Sequence, residues 1–208
     1  MRLWKFAFVV GVSLAVLSAA GSTPAGRPNG LDTAALGGTV SYIQSSPQNG
    51  RVTFYAHSRW QDGMRALTSF TGYKIDGKMV HENERHFVLL GDEGPELAET
   101  DAAPGAVEEL MYALGTCIIA RANAEAALMG VKLTSLELKM ESDLDLHGML
   151  GEPTVRAGVS TMRVSISIGG DADEATLKKT AMAGYNYSPV SETVRNGVKF
   201  TPAVNVVK

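Results

Sequence analysis

Between residues 104 and 129 the apolar positions Val107, Leu110, Met111, Leu114, Ile118 and Leu128 mostly follow the three-and-four spacing of an amphipathic helix. Gly130 stops that pattern, which is the longest helical run in the chain. On its N-terminal side the pattern changes to period two. Arg51 to Trp60 puts Val52, Phe54 and Ala56 on one face and predicts a strand. Gln61-Asp62-Gly63 then turns the chain into a second strand, Met64 to Tyr73, making a hairpin. Asp76-Gly77 marks another turn, and His86 to Leu90 predicts a third strand, closed by Gly91-Asp92-Glu93-Gly94-Pro95.

Beyond the long helix, Val131 to Leu146 alternates Leu136, Leu138 and Met140 against Glu137, Lys139 and Glu141, a long half-buried strand. Val159 to Ile168 alternates again through Val164, Ile166 and Ile168. Asp171 or Asp173 caps a helix running to Ala183. Pro189 opens a short helix ending at Asn196-Gly197, and Val198 to Val207 predicts a last strand. Near the other end, Leu31 to Ile43 reads as a short amphipathic helix with Asp32 at its start, broken by Pro47, Asn49 and Gly50. Strands and helices are grouped, not alternating, which predicts an α+β domain with a largely antiparallel sheet over residues 31–208. Residues 21–30, with two Pro and three Gly, read as a linker.

Residues 1–20 form a separate object. Arg2 and Lys5 make a basic start, Phe6 to Leu17 an apolar stretch, and Ser18 and Ala20 suit the small-residue subsites of a cleavable signal peptide. The stretch falls short of the roughly 20 residues a membrane span wants. The alternatives are an uncleaved anchor and an apolar extension not used for export. Cleavage after Ala20 leaves 17 basic and 22 acidic groups, a net of −5 against −3 for the whole chain. The expected location is then outside the cytoplasm, periplasmic or envelope-associated, with no stable membrane insertion once the signal is gone.

With no basic surplus, nucleic-acid binding is not expected. At 208 residues, 45% hydrophobic and 20% charged, the chain has the makings of a globular core. The single cysteine excludes an internal disulfide framework and a cysteine-rich zinc site. Other motifs carry little. His81 and His86 are five apart, where a helix-borne zinc pair needs four and a strand would put them on opposite faces. Asp143, Asp145 and His147 alternate at a strand end, where they could hold a metal or form a polar, solvated face; the solvated face is the expectation, since no further ligand set is evident. No glycine-rich phosphate loop or Gly-x-Ser-x-Gly elbow occurs.

Cys117 remains, on the long helix among Leu110, Met111, Leu114 and Ile118. It is either a small apolar core residue or a thiol activated by a nearby cation. Arg121 is one turn further along, while Arg59 and Arg65 flank the first hairpin turn, and geometry in the sequence does not choose among them. Glu108 is nine residues before Cys117 and so nearly opposite it around a straight helix. If both serve one site, an arginine, a bend or a second subunit must link them.

The stretch Gly94 to Cys117, with Pro104, Glu108, the Ala113-Leu114 pair and the helix-borne cysteine, resembles the OsmC/Ohr family of osmotically inducible and organic hydroperoxide resistance proteins. Ser142-Asp-Leu-Asp-Leu-His-Gly-Met-Leu-Gly151 resembles the family segment Gly-Asp-Leu-Asp-Leu-Arg-Gly-Phe-Leu-Gly, and Ser188-Pro189-Val190 the late Cys-Pro-Val or Ser-Pro-Val element. The resemblance runs from about Asn29 to the C-terminus. It implies an OsmC-like fold, with an antiparallel sheet, a long central cysteine-bearing helix and an intertwined homodimer whose sites lie at the subunit interface. It also implies a bacterial protein of the oxidative stress response. By motif position Cys117 matches the peroxidatic cysteine, Arg59 the arginine that keeps it ionised, and Glu108 the glutamate that orients the arginine. No cofactor or metal is implied.

Two departures mark this chain. Ser188 stands where a resolving cysteine would be, so a sulfenic acid on Cys117 would need an external thiol reductant. The hydroperoxide branch carries its glutamate one residue earlier, where this chain has Val107; Glu108 matches the OsmC-like branch. The expected function is a thiol-dependent peroxidase acting on organic hydroperoxides. The alternatives are a non-catalytic relative binding a small apolar ligand at the dimer interface and a purely structural envelope dimer.

Overall fold

The computed structural model describes residues 27–207 apart from Asn83. The expected signal peptide and residues 21–26 of the expected linker lie outside the described residues. Arg27 to Gly30 is more than a tether. Pro28–Gly30 forms a 3-10 turn, and Asn29, at φ 53°, donates from its side-chain nitrogen to the Val131 carbonyl and accepts from the Leu133 amide, both at 2.9 Å. Helix α1 (Thr33–Gln44) follows, its N-terminus capped by the Asp32 carboxylate, which accepts the Ala35 amide at 2.9 Å.

The strand patterns of residues 51–91 resolve into six short strands in two antiparallel sheets. β1 (Val52–Thr53), β4 (Tyr73–Ile75) and β5 (Lys78–Val80) form one, in the order β1-β4-β5. β2 (Ala56–Asp62), β3 (Arg65–Phe70) and β6 (Phe87–Gly91) form the other, with β3 in the middle. The two strands expected over 51–60 and 64–73 are thus each divided, and β5 was not anticipated. Gly72 is one cause: a Cβ there would lie 2.6 Å from the Val80 carbonyl oxygen, so only glycine permits the bend between β3 and β4. The β4–β5 turn runs through Asp76 and Gly77, at φ 48° and 73°, the left-handed pair a tight hairpin requires.

Helix α2 (Ala106–Leu128) is the long helix the periodicity predicts. Gly105 precedes it, and the Glu108 carboxylate reaches back to accept the Gly105 amide at 2.9 Å. β7 (Leu133–Asp143) and β8 (Thr161–Gly170) pair antiparallel over their whole length, with Leu136, Leu138 and Met140 opposite Ile168, Ile166 and Val164. Between them lies α3 (Leu146–Met149), where strand had been expected to continue to residue 146. α4 (Glu174–Tyr187) starts at Asp173, which accepts the Thr176 amide, and α5 (Pro189–Asn196) starts at Ser188. All the pairings are antiparallel, so the α+β class holds.

The last expected strand does not form. Val198 to Val207 pairs with nothing among the described residues, and Phe200 is 87% exposed. The alternation is present, but a strand needs an edge to pair with.

The core sits where α2 crosses α4 and covers the apolar face of β7. Leu114, Ile118, Ala122 and Ala126, a row of every fourth residue, are all buried. Gly184 of α4 packs directly on this row: a Cβ there would lie 2.7 Å from the Ile118 carbonyl oxygen and 3.0 Å from Ala122 Cβ. Gly115 is as close to Met140 of β7, whose Cε would lie 2.8 Å from an added Cβ.

Candidate functional site

Cys117, half-buried, sits on α2 between the fully buried Ile118 and the exposed Thr116. One turn along the same helix is Arg121. Its guanidinium donates to Glu125 at 2.8 Å and lies over the Tyr187 ring, 5.6 Å from the centroid. That cation is committed to neighbours on the side of the helix that meets α4.

Glu108 lies in the first turn of α2, about 13 Å along the axis from Cys117. Its carboxylate closes the helix N-terminus, so within one chain the two do not meet. Ser188 is completely buried, and its hydroxyl accepts the Ser191 amide at 3.1 Å. Ser188 is therefore the N-terminal cap of α5.

Arg59 is exposed on β2, with no ion pair or hydrogen bond to its side chain among the described residues. It stands opposite Leu67, whose other neighbour is Leu90, and these three share one face of the β2-β3-β6 sheet. The first turn of α2 packs on the other face, where Ala66, Thr68 and Gly91 join Ala106 and Glu109 around a small cavity of about 100 Å³. Within a single chain, then, Arg59 points away from the helix that carries Cys117. Arg65 on β3 donates to Asp62 at 3.3 Å, while its Nε is buried with no partner among the described residues. Of the three candidate arginines, only Arg121 shares an element with the thiol.

Sequence patterning missed what holds the connection between this sheet and α2. Asp92 is 1% exposed and accepts from Thr100 Oγ1 at 2.6 Å and from the Ala102 and Glu93 amides at 2.9 Å. The Thr100 hydroxyl, then the Ala102 amide, hold its carboxyl below the usual carboxylate range. Glu99 accepts the Met64 amide at 2.9 Å and so ties the loop to the β2–β3 turn. An aspartate within Gly91-Asp-Glu-Gly-Pro95 reads as generic turn composition; its burial is a tertiary property with no local signal.

The other motifs form no centre. His81, at φ 57°, contacts Glu84 on an exposed turn and is not in a strand. Asp143 stays on the polar face of β7 and pairs with Arg163 of β8, which also donates to Glu141 at 2.8 Å. This pairing draws the Asp143 carboxyl below its ordinary range. Asp145 leaves the strand to cap α3, contacting His147 Nδ1 at 2.7 Å. No cluster of three or more potential metal ligands occurs among the described residues.

Grouped antiparallel strands around a central helix with a half-buried thiol define an α+β thiol-bearing domain. A family model described as OsmC-like protein matches residues 99–203. The chain belongs to the OsmC-like family. Among curated proteins nothing matches. Among solved structures, an OsmC-like protein of Mycoplasma pneumoniae superposes with a TM-score of 0.52 at 12% identity, covering 69% of this chain and 88% of that one. A Psychrobacter arcticus 273-4 protein, described in terms of osmotic stress induction and the detoxification response, gives 0.51 at 13% identity, covering 68% and 88%. An organic hydroperoxide resistance protein OsmC of Legionella pneumophila gives 0.47 at 12%, covering 70% and 90%. At these identities the first two likenesses, with TM-scores of 0.52 and 0.51, establish the fold alone.

Proposed function

We propose that this protein is a single-cysteine, thiol-dependent peroxidase acting on organic hydroperoxides. The observation that carries the reading is Cys117 itself: the chain's one thiol, half-exposed on the central helix of an OsmC-like domain, against a fully buried backing at Leu114 and Ile118. A rigid wall on one side and solvent on the other is what a nucleophile needs to meet a small substrate. The Cys117 thiolate attacks the terminal peroxide oxygen. The O–O bond breaks, the alcohol leaves after protonation, and sulfur is oxidised to the sulfenic acid. An external thiol condenses with it, releasing water, and a second external thiol reduces the mixed disulfide.

The activating cation in this reading is Arg59, delivered by a second copy of the chain, since its own sheet turns it away from α2. Glu108, at the helix start, would orient that arginine across a homodimer interface. Val88 and Leu90 of β6, exposed on the same sheet face as Arg59, supply an apolar surface for such an interface. Residues 1–20 act in this reading as an export signal. Among the described residues no helix is long and apolar enough to cross a membrane.

The test is intact-mass analysis of the protein after brief exposure to an organic hydroperoxide, with hydrogen peroxide for comparison. A fast single-oxygen adduct, favoured by the organic oxidant and lost in Cys117→Ser, is the expected result. Peroxide consumption by Cys117→Ser would refute it.

One observation favours a second reading. Ser188 is buried and used as a cap, and Glu108 is likewise engaged with its own helix, so neither is poised for thiol chemistry within the chain. A non-catalytic relative that binds a small apolar ligand at the dimer interface fits that arrangement. Slow alkylation of native Cys117 together with no oxygen adduct would select it.

A further inference from the structure

Cys117, Arg121 and Glu125 follow one another at intervals of four residues on α2 and so form one row along the helix, beside the buried row of Leu114, Ile118, Ala122 and Ala126. Arg121 stands in the middle of its row. Its two neighbours, eight residues apart, are separated by about 12 Å along the axis, and one guanidinium is too small to engage both. In the structure it is engaged with Glu125 at 2.8 Å and lies over the ring of Tyr187, at the end of α4.

Both members of the Arg121–Glu125 pair are partly buried, so water screens their attraction less than that of a surface pair. The pair nevertheless runs in the weaker order for a helix, arginine before glutamate, and a second anion one turn away can contest it. A helical side chain leans toward the N-terminus, over the preceding turn. For Arg121 that is the turn of Cys117, so the thiol lies within the sweep of the arginine once the carboxylate lets go. The other charges on the elements packed against α2 are engaged or turned outward. On α4, Lys178 is paired with Glu174 and Lys179 is exposed. On α5, Arg195 is held by Glu192 at 3.2 Å and lies over the Tyr185 ring. β7 carries its charged residues on its exposed face.

We infer that Glu125 restrains the thiol: it occupies the one in-chain arginine that would otherwise move to the Cys117 thiolate and stabilise it. Arg121 exchanges the carboxylate for the sulfur when the thiol ionises, and Glu125 sets how readily that exchange occurs. The inference rests on the reading of Cys117 as the reacting thiol and gives that site a lower resting reactivity. It adds a cation from the same chain to the one expected from a second copy.

The experiment is the pH profile of Cys117 alkylation by iodoacetamide, followed by intact mass in the full chain. The parent is compared with Glu125→Gln, Arg121→Gln and the double variant. The reagent is uncharged, so its rate reports the thiolate and not attraction of the reagent. Glutamine keeps the size and helix propensity of glutamate and removes its charge. Glu125→Gln is expected to move the profile about one pH unit lower. At neutral pH its alkylation should then quicken about three- to fourfold, less than the roughly tenfold gain in thiolate, because a more acidic thiolate is a weaker nucleophile. The double variant should lose the shift and match Arg121→Gln. An unmoved profile in Glu125→Gln overturns the inference. So does a shift that survives in the double variant, which would assign it to the lost charge of Glu125 alone. Acceleration by the same factor at every pH also overturns it, since that reports a loosened helix and not a stabilised thiolate. No peroxide enters the measurement, so failure of the peroxidase reading shows separately, as absence of the oxygen adduct with the alkylation shift intact.

Discussion

Gly184 sets two effects against each other, and the structure decides between them. On propensity alone, Gly184→Ala in the last turn of α4 stabilises the helix by up to about 1 kcal/mol. The added Cβ, however, would lie 2.7 Å from the Ile118 carbonyl oxygen, 3.1 Å from Ile118 Cγ2 and 3.0 Å from Ala122 Cβ. The first of these is a backbone atom in the buried middle of α2 and cannot swing aside. Relief requires the two helices to separate by roughly half an ångström, which loosens the contacts of Ile118 and Ala122, both of them fully buried. Overpacking costs about 1–3 kcal/mol in general, and against a fixed backbone atom the upper part of that range, about 2–3 kcal/mol, applies. The net expectation is a loss of about 1–2 kcal/mol, read in urea denaturation as a lower midpoint at unchanged slope, and as a fall of about 2–8 °C in Tm. Because Cys117 precedes Ile118, its alkylation should quicken in the same variant. A Gly184→Ala protein as stable as the parent would refute the reasoning, since propensity would then have prevailed over the contact.

Other outcomes follow from the caps and the buried carboxylate. Ser188→Ala leaves the buried Ser191 amide without its acceptor and should cost about 1–2 kcal/mol in thermal or urea unfolding, with helix content nearly unchanged. Asp92 has a folded-state pKa below its unfolded value of about 3.9, so the stability it contributes is complete above that pH and is lost as pH falls through the lower, folded value. Urea midpoints taken from pH 7 down to pH 2.5 should therefore show Asp92→Asn weakest relative to the parent near neutrality, the two converging below pH 4. A constant gap across that range would exclude the carboxylate as the cause.

How legible all this is in the sequence depends on whether a feature is specified locally. α2 was expected over 104–129 and runs from Ala106 to Leu128, because apolar spacing and a terminal glycine are properties of one segment. The β7–β8 pair follows its alternation for the same reason. Residues 198–207 carry an equally clear alternation and form no strand: the pattern states which side chains share a face, and nothing about where a partner edge lies. Gly72 divides a strand through its approach to Val80, a contact invisible along the chain. At the candidate site, Cys117, Glu108 and Ser188 could be located by motif. How Arg59, Arg65 and Arg121 stand relative to the thiol could not, since they differ only in what they meet across space.

The seat of Asn29 has a bearing on timing. Its two side-chain hydrogen bonds reach Val131 and Leu133, 102 and 104 residues downstream. A ribosome adding about 5–20 residues per second needs roughly 5–20 s to make that span. For that interval Asn29 has neither of the two partners it holds in the folded chain. Docking closes a loop of more than a hundred residues, among the slower events in the folding of a chain this size. The Asn29 seat is thus completed seconds after Asn29 itself is made, at the moment β7 forms.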